Sequence, residues 1–412
     1  MNTVLPSIVA FALALTAGMV AHRLAHWVRV PDVVLALVLG VAMGPLGLGM
    51  LQQGRLPFDW IMTVGAVLIL YEGARRANTA VLAKIWDAVA LLSTLGVLIS
   101  ALIMAFLAHL LMGWTLARGL LLGAVLAPTD PASIVSVLHA SGARHRLTQL
   151  VTLEAATNDA TGASLALVLI ASGANGTEVR WAGLALTVAL RLLVGALVGA
   201  ACGLGAALAE QRWRTHSGEE QEHGALVLVT AAIMAYALAS VLGGSGFFAA
   251  YAAGLAERNA GRLWSRPPGP GGVPSLTMLS LGSRTLIFVL LGASVNAKGL
   301  AGWPTALLVV AGLMLVARPL SVFVSLLLAR QARVSWREMA AVSWVRETGV
   351  IPAALASVVA AGGSLAGRFI ATVVVLAALV TVLVQGTTTR WWIRRLDVGA
   401  TARTEVDADA SG

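Results

Sequence analysis

From its first residues the chain runs through one apolar stretch after another, each separated from the next by a short polar link. A helix that crosses a bilayer needs about 20 consecutive apolar residues. Read with that window, candidate spans fall near 4–24, 32–51, 59–76, 87–111, 116–138, 148–171, 181–208, 224–242, 246–258, 275–295, 300–328, 337–361 and 367–389. That makes thirteen. The ninth is short, and only the Gly243-Gly244-Ser245-Gly246 break separates it from the eighth, so twelve is the competing count. Of the 412 residues, 11% are charged, against about 25% in soluble domains. A soluble enzyme is therefore excluded. The first stretch lacks the basic leader and small-residue cleavage site of a secretory signal and reads as a first membrane helix. A single cysteine, Cys202, precludes an intramolecular disulfide.

The 28 Lys and Arg exceed the 19 Asp and Glu, an excess that in a soluble chain would suggest nucleic acid. Sorted by loop, nineteen of the cations follow odd-numbered spans and five follow even-numbered ones. Cytoplasmic loops carry such a surplus. The bias places the N-terminus outside and the C-terminus in the cytoplasm of a plasma-membrane protein, and merging spans 8 and 9 would destroy it. No nucleic-acid partner is expected. Residues 1–395 read as one transmembrane domain and 396–412 as a short polar tail. The Pro/Gly-rich stretch 261–274 reads as a connector and 210–223 as the longest polar loop. His139 and His145 read as loop residues flanking a cytoplasmic turn.

The remaining four cations, Arg191, Arg284, Arg318 and Arg346, lie inside or near the ends of spans, as do Glu72, Asp130, Glu154, Asp159 and Glu347. A charge at mid-bilayer costs about 3 kcal/mol even on lenient scales, so each needs a partner, a wet cavity or a function. Glu72 would line a cytoplasmic funnel or pair with Arg75 or Arg76; Asp87 and Glu257 are expected at the interfaces.

Three constellations stand out. In span 5, Pro128 and Pro131 flank Thr129-Asp130; Pro131 removes a backbone donor and frees carbonyls near residue 127. An unwound mid-membrane segment bearing a carboxylate and a hydroxyl suits a cation. In span 6, Glu154 and Asn158 share a helical face while Asp159 points to another neighbour. A carboxylate there takes either a monovalent cation or a proton, and their competition is the minimal chemistry of an antiporter. In span 12, Arg346-Glu347-Thr348-Gly349 and Pro352 interrupt an apolar helix. Spans 5 and 12 are each fifth in their set if spans 1–6 and 8–13 form two inverted six-helix repeats, and matched broken helices point to a transporter's central site.

These residues resemble the monovalent cation:proton antiporter-1 family, NhaP type. The resemblance runs from about residue 30 to 360. It rests on Val30-Pro31 with Gly40 and Gly44-Pro45, Ala127-Pro128-Thr129-Asp130-Pro131, Glu154 with Asn158-Asp159, Gly244-Ser245-Gly246-Phe247 leading into Ala253-Gly254-Leu255, Phe288 to Gly292, Arg318-Pro319 and Arg346. It implies a thirteen-helix inverted-repeat fold with dimerisation and core subdomains, a homodimer, and electroneutral exchange of Na+, or alternatively K+ or Li+, for H+ by alternating access. No cofactor is implied beyond the transported ions. Asp159 would be the essential carrier, with Thr129 and Asp130 beside it and Asn158 in place of a second acid. Glu154 and Arg346 would form a buried ion pair, and Arg284 would be the basic residue of span 10. Two positions depart from the pattern. Ala155 stands where a serine is common, and Glu347 adds an acid that would modulate exchange or pair with Arg318.

Two other functions compete. A cation channel lacks a potassium-filter sequence, since Thr63-Val64-Gly65 is followed by Ala66. A rhomboid-like protease would use Ser245 with a later histidine, but the last histidine is His223.

Overall fold

A computed structural model describes residues 4–28, 30–51, 58–77, 79–130, 137–138, 141–173, 183–216, 222–263 and 274–399. They are helical throughout, with no strand beyond one isolated bridge between Ala143 and Gly399. Every stretch expected from the hydropathy pattern coincides, wholly or in part, with helix. Seven helical runs among the described residues are long and apolar enough to cross a membrane: Ser7–Ala25, Val81–Met112, Leu184–Arg212, Gly224–Val241, Pro274–Ser294, Trp303–Leu328 and Leu365–Arg395. Shorter apolar helices cover Asp32–Met43, Leu116–Leu126 and Val350–Ala361. Leu193, Leu197, Leu226, Met278, Leu315 and Leu327 are exposed on the outside of the bundle. Such an apolar outer surface suits lipid and not water.

Local chemistry sets the helix ends. Thr115 caps Leu116–Leu126 and Ser364 caps Leu365–Val380 through their side chains. Ser335 and Glu338 form a reciprocal capping box at the start of Trp336–Trp344. Gly113, at φ 64°, ends Val97–Met112 in the left-handed conformation. Three helices contain a π turn, at Leu92–Gly96, Leu313–Ala317 and Thr381–Gln385.

With lipid on the outside, helices associate through close contact of small residues. Gly195, Gly199 and Gly203 recur every fourth residue on Leu184–His216 and meet Ser245, Ala249 and Ala253 on the neighbouring chain. A Cβ at Gly199 would stand 2.2 Å from the Ala249 carbonyl oxygen. Gly40 and Gly292 do the same where Asp32–Met43 crosses Pro274–Ser294.

Three sequence expectations need correction. The polar loop expected at 210–223 is mostly helix, because Leu184–His216 continues past the membrane and the next helix begins at Glu222; Glu, Gln and Arg are good helix formers in water. The connector expected at 261–274 starts as helix to Leu263, and residues 264–273 lie outside the described residues. The tail does not begin free at 396. Leu396 and Val398 are buried, the Arg144 amide donates to the Val398 carbonyl at 3.2 Å, and the Arg144 guanidinium donates to the carbonyls of Asp397 and Gly399. Residues 400–412, Pro131 and His139 lie outside the described residues.

Candidate ion-binding site

Two helices break near the middle of the bundle, and the breaks meet. Leu116–Leu126 ends where Pro128 cannot donate to the preceding turn, and 127–130 run on without helical hydrogen bonding. The second break, 345–349, separates Trp336–Trp344 from Val350–Ala361. The Asp130 amide donates to the Glu347 carbonyl at 2.9 Å, tying one break to the other. Gly349 makes this approach possible, since a Cβ there would lie 2.6 Å from that of Asp130.

His145–Ala171 passes beside the first break and presents a row of polar residues to it. Asn158 donates from Nδ2 to Glu154 Oε1 at 2.7 Å and to Thr129 Oγ1 at 3.1 Å. The Thr129 amide, left without a helical acceptor, donates to Asn158 Oδ1 at 3.2 Å and to Asp159 Oδ1 at 3.1 Å. All four residues are buried, Asp159 being 3% exposed and Glu154 0%. The structure thus brings together Thr129, Asn158 and Asp159: a hydroxyl, an amide oxygen and a carboxylate. Hard oxygen donors of this kind suit alkali cations. Asp130 is engaged elsewhere, with Arg284 Nη2 at 3.1 Å from its Oδ2. It stands next to Asp159 in the site without touching it through a hydrogen bond, and Arg284 has the acidic partner that sequence alone left unassigned.

The expected Glu154–Arg346 pair is not formed. Glu154 instead accepts two bonds from Arg318, Nη1 to Oε1 at 2.8 Å and Nη2 to Oε2 at 3.1 Å. Arg318 opens Arg318–Leu328, directly after the π turn Leu313–Ala317. Arg346 Nη2 donates to the carbonyls of Leu126, Ala127 and Pro128. The last carbonyls of a helix lack intrahelical donors and carry partial negative charge, so a cation is stabilised there. The Ala127 carbonyl is also the one that Pro131, lacking an N–H, would leave free. Arg346 therefore replaces with its own donors those that the proline break removes. Arg318 is occupied by Glu154, so Glu347 does not pair with it.

Further positions complete the comparison with sequence. Glu72 pairs with Arg76 and accepts from Thr277 Oγ1 at 2.7 Å, one of the two roles expected of it. Glu257 is not interfacial: it is 6% exposed and ion-paired with Arg75, itself 5% exposed. Arg191 lies away from Asp159, lining a small cavity with Ser164, Tyr236, Ser240 and Ser245. Sequence reasoning missed Thr157, whose hydroxyl lies 2.9 Å from the Tyr251 hydroxyl, and Thr161, which donates to the Ser93 carbonyl at 2.5 Å. Both hydroxyls sit in helical positions where threonine commonly bonds its own backbone, so spacing gave no sign of them.

The chain was compared with known proteins. It is 27% identical over 361 residues to the K(+)/H(+) antiporter NhaP of Alkalimonas amylolytica, covering 86% of this chain and 60% of that one. It is 29% identical over 357 residues to Na(+)/H(+) antiporter 1 of Methanocaldococcus jannaschii, covering 84% and 81%. The chain spans about three fifths of the length of the NhaP and NhaP2 relatives it matches. Its fold is shared with the sodium proton antiporter MjNhaP1 of Methanocaldococcus jannaschii, solved at pH 8, with a TM-score of 0.79 at 24% identity over 93% of this chain and 99% of that one. The model of the transmembrane sodium/hydrogen exchanger matches residues 11–395, nearly the whole apolar bundle with both breaks and the Asn158-Asp159 pair. The chain is a multi-pass membrane protein and belongs to the sodium/hydrogen exchanger family.

Proposed function

We propose that the protein exchanges a monovalent cation for a proton, one for one, by alternating access around Asp159. The observation that carries this reading is the buried Asp159 carboxylate held beside a broken helix, with Thr129 and Asn158 supplying further oxygens. Ionised Asp159 takes a dehydrated cation from one side. The neutral complex crosses readily, whereas a bare carboxylate in apolar surroundings is penalised. On the other side a proton displaces the cation, and the protonated carboxyl returns. Asn158 contributes an oxygen without titrating, which fits one charge for one charge. Relatives named for Na+ and for K+ both support an alkali cation as the load.

The same reading takes the chain as thirteen spans in two inverted repeats, 1–6 and 8–13, in a homodimer in the plasma membrane, N-terminus outside and C-terminus cytoplasmic. Internal correspondences support the repeats. The π turns Leu92–Gly96 and Leu313–Ala317 both fall in the fourth span of a repeat, and the breaks 127–130 and 345–349 both fall in the fifth.

The test is proton flux in proteoliposomes under Na+, K+ and Li+ gradients, with and without an imposed membrane potential. Exchange insensitive to potential is expected, and Asp159→Asn should abolish it. Flux surviving in the Asp159→Asn protein, or a potential-driven current far faster than carrier turnover, would sink the scheme; the second result would mark a channel.

A further inference from the structure

The second break carries polar groups that the Asp159 site does not use. Past Arg346, the extended segment presents Glu347 and Thr348, 5% and 1% exposed. The final long helix lays Thr381 and Gln385 of its π turn beside them, at 0% and 1%. The Thr348 amide donates to Thr381 Oγ1 at 3.1 Å. The Glu347 carboxylate lies against Gly386, the residue next to Gln385; a Cβ there would stand 3.3 Å from Glu347 Oε1. Three buried polar atoms in this chamber have no hydrogen-bond partner: Thr348 Oγ1, Gln385 Oε1 and Gln385 Nε2. Pro352 lacks an N–H, so the helix it belongs to cannot supply a donor to the Thr348 carbonyl four residues earlier.

Unmet polar atoms at this depth are expensive, about 1–3 kcal/mol for each group, and in native proteins they mark a strained site or the place of a water or ion. The chemistry here narrows the choice. The Glu347 carboxylate, the Thr348 hydroxyl and the Gln385 amide carbonyl are hard oxygen donors, with neither sulfur nor imidazole among them, which suits alkali cations over transition metals. The acid supplies one negative charge against a load of one positive charge. Gln385 Nε2 requires an acceptor, which a water retained by the ion provides.

The plan also repeats the one around Asp159. There the amide of Thr129, in the first break, donates to side-chain oxygens of Asn158 and Asp159 on the next long helix. Here the amide of Thr348, in the second break, donates to Thr381 on the next long helix. Each chamber combines one acid, threonine hydroxyls and one carboxamide. The geometry points to a second monovalent-cation site, formed by Glu347, Thr348 and Gln385, beside the crossing of the two breaks.

The test counts bound ions in the full-length protein in detergent micelles, with sodium-22 and thallium(I) as probes. Two ions per chain are expected for the wild type, and one each for Asp159→Asn, Glu347→Gln and Gln385→Leu. The Asp159→Asn/Glu347→Gln double variant should bind none. Thr348→Val leaves every charge in place and should weaken one of the two ions about tenfold, the loss of a single ligand contact worth about 1.4 kcal/mol. Size-exclusion profiles and thermal unfolding establish that each variant is folded, and Thr348→Val carries the test if Glu347→Gln is not. One ion per chain in the wild type, unchanged by Gln385→Leu and Thr348→Val, would overturn the proposal and leave the chamber to ordered water. If Asp159→Asn still binds two ions, the assignment of Asp159 fails separately while the second site stands.

Discussion

Replacing Arg318 by Met strands the Glu154 carboxylate. That carboxylate is 0% exposed and loses both guanidinium bonds, at 2.8 and 3.1 Å, keeping only the Asn158 amide at 2.7 Å. Removing one partner of a buried ion pair costs about 3–5 kcal/mol. Replacing both by neutral groups of similar volume is often close to neutral, so Arg318→Met/Glu154→Gln should recover most of the loss. The coupling between the two positions is then about 2–3 kcal/mol, at the upper end for residues in contact. Arg346 gives the control. Its removal should also be costly, because the carbonyls of Leu126, Ala127 and Pro128 lose a shared donor. Glu154→Gln should not rescue it, and that coupling should stay below about 1 kcal/mol, the level of residues without a shared hydrogen bond. Equilibrium unfolding in mixed SDS micelles, followed by the fluorescence of the 12 tryptophans, measures both cycles. A larger coupling for Glu154 with Arg346 than with Arg318 would refute the pairing and restore the sequence expectation.

Two further substitutions probe the packing. Gly349→Ala would place a Cβ 2.6 Å from Asp130 Cβ and 2.9 Å from its Cα; overpacking of this kind costs about 1–3 kcal/mol, and cation binding should weaken with it. Gly73→Ala, where nothing lies within 4 Å, should leave both unfolding midpoint and binding unchanged. Glu257→Ala should destabilise by about 3–5 kcal/mol by leaving Arg75 buried and unpaired, and Arg75→Met in the same chain should restore most of that; thermal unfolding of the single and double variants decides it.

The broken helices were legible because proline cannot hide its missing donor: Pro128, Pro131 and Pro352 each announce an interruption within an apolar run. The polar face of His145–Ala171 was legible for a similar reason, since Glu154 and Asn158 sit one turn apart and few polar residues survive in a spanning helix without purpose. Partner choice was not. Arg318 and Arg346 are both intramembrane cations of the second half, and only the crossing of the helices decides which reaches Glu154. Nor was the burial of Glu257, because an acid near a helix end reads as interfacial until the helix bearing Arg75 is laid against it. The π turns left no trace in composition, since an extra residue in a helix changes phase and not chemistry.

Those π turns have a consequence for how the chain tolerates change in length. A π turn holds one more residue than the α-helical ladder on either side requires. Deleting one residue between 313 and 317 would let the helix close into regular α geometry, with Arg318 still facing Glu154. Deleting one residue anywhere else in Trp303–Leu328 would instead turn everything beyond it by about 100° and shorten the path by about 1.5 Å, swinging Arg318 out of reach. Leu92–Gly96 and Thr381–Gln385 carry the same slack. The helices that frame the two breaks thus each contain one place where a length mutation is absorbed in phase.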